Sequence, residues 1–258
     1  MNIVLIAPHQ DDEILSSYLL LMKYHKLGAN IDIVFATNGN YNGDNIASIR
    51  YHESCNALKT CGIEANHIHY MGYEDTGMHL NHSFLLKLYK SKKTLRFASV
   101  NHSHTWHPLG DETLHKQATG YEAAFCRKNF LFDLHYAISR LKPDLLIIPS
   151  CFDQHGDHLA LSLFIRELLA SSPLHPNIIC YLIHTVNEAN WPNRKTNFFG
   201  KPMELDNLIW EQRIIYSFSE IQSKQKKEII KTFSSQNPTG NSEFLLSFGK
   251  EEEIFILY

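Results

Sequence analysis

The sequence predicts an α/β fold built on a parallel sheet, because short aliphatic runs alternate with helical patterns along most of the chain. Residues 3–6 and 145–148 are each four consecutive aliphatic residues. Such a run, with no polar alternation, is typical of a strand buried on both faces. A proline follows closely in both cases, Pro8 and Pro149, and ends the strand because it cannot donate a ladder hydrogen bond.

The first third of the chain repeats strand and helix in turn. Apolar spacing after Glu13 predicts a helix that ends before Gly28. The further predicted elements are a strand at 31–36, a helix at 44–61 closed by Gly62, and a weaker strand at 68–71. These lengths suit right-handed βαβ units, in which successive strands are parallel.

Residues 73–125 break this pattern, with weak periodicity and several glycines. We interpret them as a substrate-loop insertion in a single domain that spans residues 1–258. Beyond the insertion, the predicted elements are helices at 127–141, 159–169 and 219–233, strands at 145–148, 178–183 and 254–257, and a polar surface segment at 187–206.

Composition is that of an ordinary soluble globular protein, with 44% hydrophobic and 20% charged residues. A net charge of −3 with mixed signs gives no basic field for nucleic acid. The five cysteines include no CxxC pair and are expected to be reduced thiols. With no signal-peptide n-region and no apolar run of membrane-spanning length, we expect a cytoplasmic protein without an integral membrane segment.

Three residues of the kind that bind metals follow the first strand: His9, Asp11 and Asp12. A simpler interpretation is a helix start, where an Asp cap and acids in the first turn are ordinary. That would explain Asp12 and Glu13, but not His9 and a second acid beside them. We favour a metal site, provided that another part of the chain supplies a further ligand.

The second cluster, residues 155–158, also lies between a buried strand and a helix. Because parallel strands present their carboxyl ends at one edge of a sheet, the two clusters can meet there. His9, Asp12 and His158 would then form a set of two imidazoles and one carboxylate. Three protein ligands with an open position are typical of catalytic zinc, although two His and a carboxylate also suit Fe(II) or another divalent metal.

Four further histidines, His102, His104, His107 and His115, lie in the insertion. A second metal site is the alternative there, but their spacing fits no ligand template. We interpret them as loop histidines of no special role.

Both clusters carry a resemblance to a known family. Residues 8–13, PHQDDE, resemble the (A/P)H(P/Q)DDE signature of the PIG-L/LmbE-like zinc-dependent N-acetylglucosamine deacetylases, and residues 155–158, HGDH, resemble their HxDH signature. Other matching segments are Thr37-Asn38-Gly39, the helix from Arg50 to Ile63, Gly72-Tyr73-Glu74-Asp75, and residues 226–236. The resemblance covers nearly the whole chain, and it is weakest at residues 78–125 and 184–215.

The resemblance implies a Rossmann-like three-layer sandwich with a mostly parallel central sheet. It also implies zinc-dependent hydrolysis of an N-acetyl group, usually on a small-molecule sugar of the GlcNAc type. Carried over by position, the implied roles are metal ligands for His9, Asp12 and His158, general base for Asp11, oxyanion contact for His155, and substrate binding for Arg50 and Asp75.

Amide hydrolysis gives these roles an independent rationale. Asp11, next to a ligand, can take a proton from water and later deliver it to the leaving amine. His155 can donate to the oxyanion, and we expect Asp157 to hold it protonated. For Arg50, a helix-surface charge paired with Glu53 is nearly as good an interpretation as substrate contact.

We expect the irregular segments that border the strand ends to determine which substrate binds. These are chiefly residues 73–125 and also residues 187–206. Trp106 is our candidate for a platform on which a sugar ring stacks. The alternative is that Trp106 only packs its loop onto the domain.

Three other functions are the alternatives to this one. The first is hydrolysis of a small acylamide other than an N-acetylated sugar, which would use the same site. A degenerate, carbohydrate-binding member of the family should have lost catalytic positions, yet all are present here. A nucleotide-binding domain fails because no GxGxxG follows the first strand.

Overall fold

The computed structural model describes residues 1–184 and 213–257. Within them the strands are β1 Asn2–Ala7, β2 Asn30–Thr37, β3 Ile68–Tyr73, β4 Leu145–Pro149, β5 Asn177–Tyr181, β6 Arg213–Ser217 and β7 Glu252–Leu257. The helices are α1 Asp12–Lys26, α2 Asp44–Thr60, α3 Phe84–Lys90, α4 Leu114–Thr119, α5 Arg127–Leu141, α6 Gly156–Ala170, α7 Glu220–Lys231 and α8 Glu243–Ser247. A short 3₁₀ helix, Ala65–His67, precedes β3.

In the described residues, all strands join one sheet in the order β3-β2-β1-β4-β5-β7-β6. The first five strands are mutually parallel, β7 is antiparallel to β5, and β6 is antiparallel to β7. The prediction of a mostly parallel sheet is therefore confirmed.

Helices cover both faces of this sheet. Helix α1 contacts α2 and α7, whereas α3 and α5 pack against α6 and α4 packs against α5. Residues 3–7 of β1 have no exposed surface, as expected for a central strand covered on both sides. The three-layer α/β architecture predicted from the sequence is confirmed.

The chain changes direction across the sheet at β1. Strands β2 and β3 lie on one side of β1, and β4 and β5 lie on the other. At such a switch point the loops after neighbouring strands diverge and leave a crevice at their carboxyl ends. Residues 8–11 follow β1 and residues 150–155 follow β4, so both sequence clusters border this crevice.

Besides the short 3₁₀ helix, four described elements were not predicted from the sequence. Helices α3 and α4 lie inside the insertion at 73–125, α8 is a five-residue helix, and β6 is an edge strand that pairs only with β7 among the described strands. Each is short, and β6 depends on a partner strand more than thirty residues away. The polar segment predicted at 187–206 lies outside the described residues.

The single-domain organisation remains our proposal. It is supported by a sheet that takes strands from both ends of the described chain. In the same residues, no helix combines the length and the apolar character needed to span a membrane.

Candidate active site

The loops after β1 and β4 meet as the sequence predicted. His9 Nε2 lies 3.2 Å from Asp157 Oδ2, and His158 Nε2 lies 3.3 Å from Asp12 Oδ1. The rings of His9 and His158 are 5.4 Å apart, centroid to centroid. All four residues are buried, so this is an interior cluster and not a solvated acidic surface.

The donor set fits a divalent cation. One ring nitrogen from each of His9, His155 and His158 lies within 4.8 Å of the others, and Asp12 Oδ2 lies 3.5 Å from His9 Nδ1. Both ring nitrogens of His158 are fully buried and each faces a carboxylate oxygen, Nε2 that of Asp12 and Nδ1 that of Asp153. The predicted metal site is thus confirmed as a cluster that can hold an ion. The first-choice set of His9, Asp12 and His158 remains a prediction, because the mutually close group has His155 in the place of Asp12.

The electrostatics of the cluster favour positive charge. Burial alone would lower the pKa of His9, but Asp75 and the hydrogen bonds to Asp12 and Asp157 raise it to about 10. Burial opposes ionisation of Asp12 as well, yet the nearby His158 holds the pKa of that carboxyl well below its ordinary value. A site that retains a proton so firmly offers the same carboxylates to a metal ion, which binds in competition with that proton.

Asp153 is a site residue that the sequence analysis missed. Its Oδ2 lies 3.1 Å from Nδ1 of His158 and accepts hydrogen bonds from the backbone N–H groups of Ile183 and His184 at 2.9 and 3.2 Å. A carboxylate behind a ligating imidazole fixes the orientation of the ring. Asp153 also ties the segment after β5 to the site, which brings His184 to the cleft.

The structure corrects the expected role of Asp157. Its carboxylate contacts His9 through Oδ2 and accepts a hydrogen bond from Ser83 Oγ at 2.5 Å through Oδ1. The contact with His155 is made instead by the backbone: the Asp157 N–H donates to His155 Nδ1 at 3.1 Å. Among the described residues, the hydrogen-bond partners of the Asp157 carboxylate are thus His9, Ser83 and the backbone N–H of Leu85, and not the His155 ring.

His155 is consequently a neutral imidazole. Because Nδ1 accepts the Asp157 N–H, the proton of the neutral ring must lie on Nε2. Burial, followed by the positive charges of His9 and His158, lowers the pKa of His155 far below its ordinary value. A neutral ring still provides one N–H donor, so the structure changes its expected charge and not its capacity to donate.

Asp11 has a strained backbone, with φ 132° and ψ −30°. A non-glycine residue held in such a region costs about 1–3 kcal/mol and persists only where its surroundings impose it. Asp11 occupies the N-cap position of α1, but its side chain makes no capping hydrogen bond. The simple helix-cap interpretation therefore does not account for Asp11. Burial raises the pKa of its carboxyl to about 6, against the lowering effect of Arg50.

Glu13 holds the strained residue in place. Its Oε2 accepts the backbone N–H of Asp11 at 2.9 Å, and its Oε1 accepts the hydroxyl of Ser54 on α2 at 2.5 Å. Glu13 has no exposed surface, and burial raises its pKa to about 8. The sequence predicts Glu13 only as support for a ligand or for the helix start; its link to Ser54 across 41 positions gives no local sequence signal.

We expect Glu13→Ala to destabilise the protein more than Glu13→Gln. Alanine leaves the Asp11 N–H and the Ser54 hydroxyl buried without a partner, at about 1–3 kcal/mol for each group. Glutamine keeps an oxygen that can accept a hydrogen bond from the Asp11 N–H, and its amide nitrogen can donate one to the Ser54 hydroxyl. Thermal unfolding of both variants against wild type measures the difference, and equal Tm values for the two variants would contradict this role.

Arg50 points into the site and not to solvent. Its Nη2 donates to the carbonyl of Gln10 at 2.7 Å and lies 3.4 Å from Asp11 Oδ1, and its Nη1 lies 3.7 Å from Asp75 Oδ2. Glu53, its alternative partner, instead accepts hydrogen bonds from Ser234 and Ser235. The surface-charge alternative is therefore wrong, because Arg50 is only 6% exposed and faces two carboxylates.

A cleft of about 340 Å³ opens above this cluster. Its lining includes the predicted His9, Asp11, Asp12, Arg50, Asp75 and His155. It also includes residues that sequence reasoning missed, namely Leu15, Tyr41, Met78, Ile183, His184, Gln236, Phe244 and Leu245. Asp11 and two residues of the proposed metal site, His9 and Asp12, thus line one accessible space.

Trp106 does not line this cleft. Its ring stacks on His102, with centroids 4.6 Å apart and an interplanar angle of 17°, and its Nε1 donates to Glu74 Oε1 at 2.9 Å. Its carbonyl accepts from Asn38 Nδ2 at 2.8 Å. This geometry favours the packing alternative for Trp106 over a direct sugar platform.

Comparison with known proteins agrees with this site. The family model described as PIG-L, GlcNAc-PI de-N-acetylase, matches residues 4–169, a range that includes both motifs. The fold and site define a member of an α/β deacetylase class, and the chain belongs to the PIG-L family of de-N-acetylases. The resemblance inferred from the sequence is confirmed. No curated protein matches the sequence significantly.

Solved structures share the fold at low identity. A teicoplanin-pathway deacetylase complex has a TM-score of 0.61 at 15% identity, covering 99% of this chain and 97% of that one. The N,N'-diacetylchitobiose deacetylase from Pyrococcus horikoshii has a TM-score of 0.61 at 16% identity, covering 99% and 83%. A zinc-inhibited form of teicoplanin deacetylase has a TM-score of 0.60 at 15% identity, covering 99% and 97%.

Proposed function

We propose that this protein is a metal-dependent hydrolase that removes the N-acetyl group from an N-acetylated amino sugar of the GlcNAc type, or from its conjugate. The observation that carries the proposal is the position of Asp11. A partly buried carboxylate, held in a strained conformation, lines the same cleft as a cluster of imidazoles and acids that fits a divalent cation. Membership of the PIG-L family supports deacetylation as the reaction.

His9, Asp12 and His158 are the residues that we propose to hold the metal, with zinc as first choice and Fe(II) or another divalent metal as the alternative. A bound metal would supply a Lewis acid that polarises the acetyl carbonyl and makes water more acidic. Asp153 then keeps the His158 ring in one orientation from behind.

Asp11 is the proposed general base. Its carboxylate takes the proton from the attacking water and returns it to the leaving amine, which an amide requires before its C–N bond breaks. Arg50 supports this role, because its guanidinium lies between the carboxylates of Asp11 and Asp75 and limits the directions that Asp11 can take.

His155 is proposed to stabilise the oxyanion. With Nδ1 occupied by the Asp157 N–H, its Nε2–H is available to donate to the oxygen on which negative charge develops. A neutral donor performs this step without adding a further positive charge next to the metal. Arg50 and Asp75 are proposed contacts for the sugar hydroxyls at the wall of the cleft.

The proposal predicts metal-dependent release of acetate. Purified protein loaded with zinc should release acetate from N-acetylglucosamine or its conjugates, because Asp11 and the metal act on the acetamide alone. Removal of the metal with a chelator should abolish this release, and added zinc should restore it. Turnover that persists after complete metal removal would contradict the proposed chemistry.

We also propose a cytoplasmic location. It is supported by Cys55, Cys61, Cys126, Cys151 and Cys180, all of which are free thiols in the structure. Free thiols are the usual state in a reducing compartment.

A further inference from the structure

A second groove continues from the active-site cleft on the side of the insertion. It has a volume of about 640 Å³ and shares Tyr41 and Asp75 with the cleft lining. Its far wall is formed by residues 97–101, which belong to the insertion and not to either family motif. A ligand in the cleft can therefore extend past Tyr41 into this groove.

Tyr41 lies at the junction between the cleft and the groove. Its side chain is 62% exposed, so much of the ring is accessible to a ligand. The ring packs on Gly77, where a Cβ atom would lie only 2.6 Å from Tyr41 Cε2, and Gly77 has a φ of +97°. A side chain at position 77 would displace the ring, so this position of Tyr41 depends on the glycine.

The groove combines apolar surface, from Phe84, Phe97, Ala98 and Val100, with charged groups that are mainly acidic. Its described lining has the carboxylates of Asp44, Glu74 and Asp75 and one ammonium, that of Lys87. Asn40 links these acids, since its Nδ2 lies 3.3 Å from Asp44 Oδ1 and 3.1 Å from Glu74 Oε2. Carboxylates and amides are suited to hydroxyl groups, and their excess negative charge disfavours a phosphate or a uronate.

Hydrogen bonds from neighbouring side chains hold the carboxylates of Asp44 and Glu74 in position. His102 Nε2 lies 3.1 Å from Asp44 Oδ2, and Trp106, stacked on His102, donates to Glu74. Asn101 Nδ2 donates to the same Asp44 oxygen at 3.2 Å. The packing of Trp106 thus orients the groove without contact with the ligand, and a rigid polar wall beside an exposed aromatic ring suits a sugar.

We propose that this groove binds a second, neutral sugar unit attached to the N-acetylated sugar, with Tyr41 as the stacking platform at the linkage. The inference rests on the proposed deacetylase function and specifies its substrate class as a neutral N-acetylated oligosaccharide. Phosphorylated conjugates of the same sugar gain nothing from the groove.

The test compares acetate release from N-acetylglucosamine, N,N'-diacetylchitobiose and N-acetylglucosamine 1-phosphate. The disaccharide is suitable because both of its units carry an acetamide, so either end can enter the cleft. We expect its kcat/KM to exceed that of the monosaccharide by about tenfold or more, the equivalent of one good stacking contact. The 1-phosphate should show no gain. Equal values for mono- and disaccharide, or a gain for the phosphate, would overturn the inference.

Substitutions test whether Tyr41 is the source of the expected gain in kcat/KM for the disaccharide. Tyr41→Ala should lower kcat/KM for the disaccharide far more than for the monosaccharide, whereas Tyr41→Phe keeps the advantage because the ring remains. Tyr121→Ala is the matched control, since Tyr121 is equally exposed at 64% and lines neither space. An equal fall for both substrates in Tyr41→Ala would place the ring at the acetamido sugar alone and reject the second subsite.

A binding measurement separates this inference from the proposed function. If no substrate releases acetate, the deacetylase proposal fails, and calorimetric titration of the same sugars still tests the groove. Tighter binding of the disaccharide that Tyr41→Ala removes would support the subsite. Equal affinity for mono- and disaccharide in wild type would refute it.

Discussion

Replacement of Asp11 with asparagine is expected to abolish most turnover while leaving the metal in place. Asparagine keeps the shape and the backbone hydrogen bond to Glu13, but its amide cannot take a proton from water. Loss of a general base typically lowers kcat by about 10²–10⁴-fold. Acetate release at saturating substrate, together with metal analysis of the same preparation, measures both parts of the expectation.

Asp111→Asn is the matched control for this substitution. Asp111 lies in the insertion, and its side chain is 71% exposed, so the same chemical change there should leave kcat unaltered. Near wild-type kcat in Asp11→Asn would remove Asp11 from the role of base. A large loss of metal in that variant would mean that Asp11 acts as a ligand.

Replacement of His158 with alanine is expected to remove most of the bound metal. Wild-type protein should contain close to one divalent ion per chain, whereas the variant loses the buried ring whose Nε2 faces the predicted metal ligand Asp12. Two carboxylates, Asp12 and Asp153, then face each other without the imidazole between them. Elemental analysis after dialysis measures the stoichiometry, and acetate release should fall in parallel.

His115→Ala controls for the loss of a buried histidine. His115 is also buried and pairs with a carboxylate, Asp133, through Nδ1 at 2.5 Å, but it does not line the cleft. We expect this variant to lose thermal stability and to keep its metal. Full metal retention in His158→Ala would instead exclude His158 from the ligand set and favour His9 with His155.

Local patterns were sufficient to predict much of the fold. Strands β1 and β4 are runs of aliphatic residues ended by a proline, and α1, α2, α5 and α6 show a helical apolar period within their own sequence. Periodicity and turn residues report burial at the scale of one element. Parallel pairing and the meeting of the two motifs followed, because strand ends in a βαβ sheet lie at one edge.

Partners of the site residues depend on distances between elements, which no local pattern records. Asp157 was expected to contact its neighbour His155, but the first turn of α6 directs its carboxylate to His9 and Ser83. Arg50 was balanced between two interpretations until the fold placed Asp11 and Asp75 beside it. A buried charge takes whichever opposite charge or donor the packing brings within reach.

The sequence by itself therefore determined the class of fold, the residues His9, Asp11, Asp12 and His158, and the family. These follow from short sequence motifs and from apolar periodicity that can be recognised within a single helix or strand. Only the tertiary structure decided that Glu13 and Ser54 hold the strained Asp11, that Asp153 orients His158, and that Tyr41 and not Trp106 borders the cleft. Those contacts join segments far apart in the chain, and their hydrogen bonds and packing exist only once the sheet and its helices have assembled.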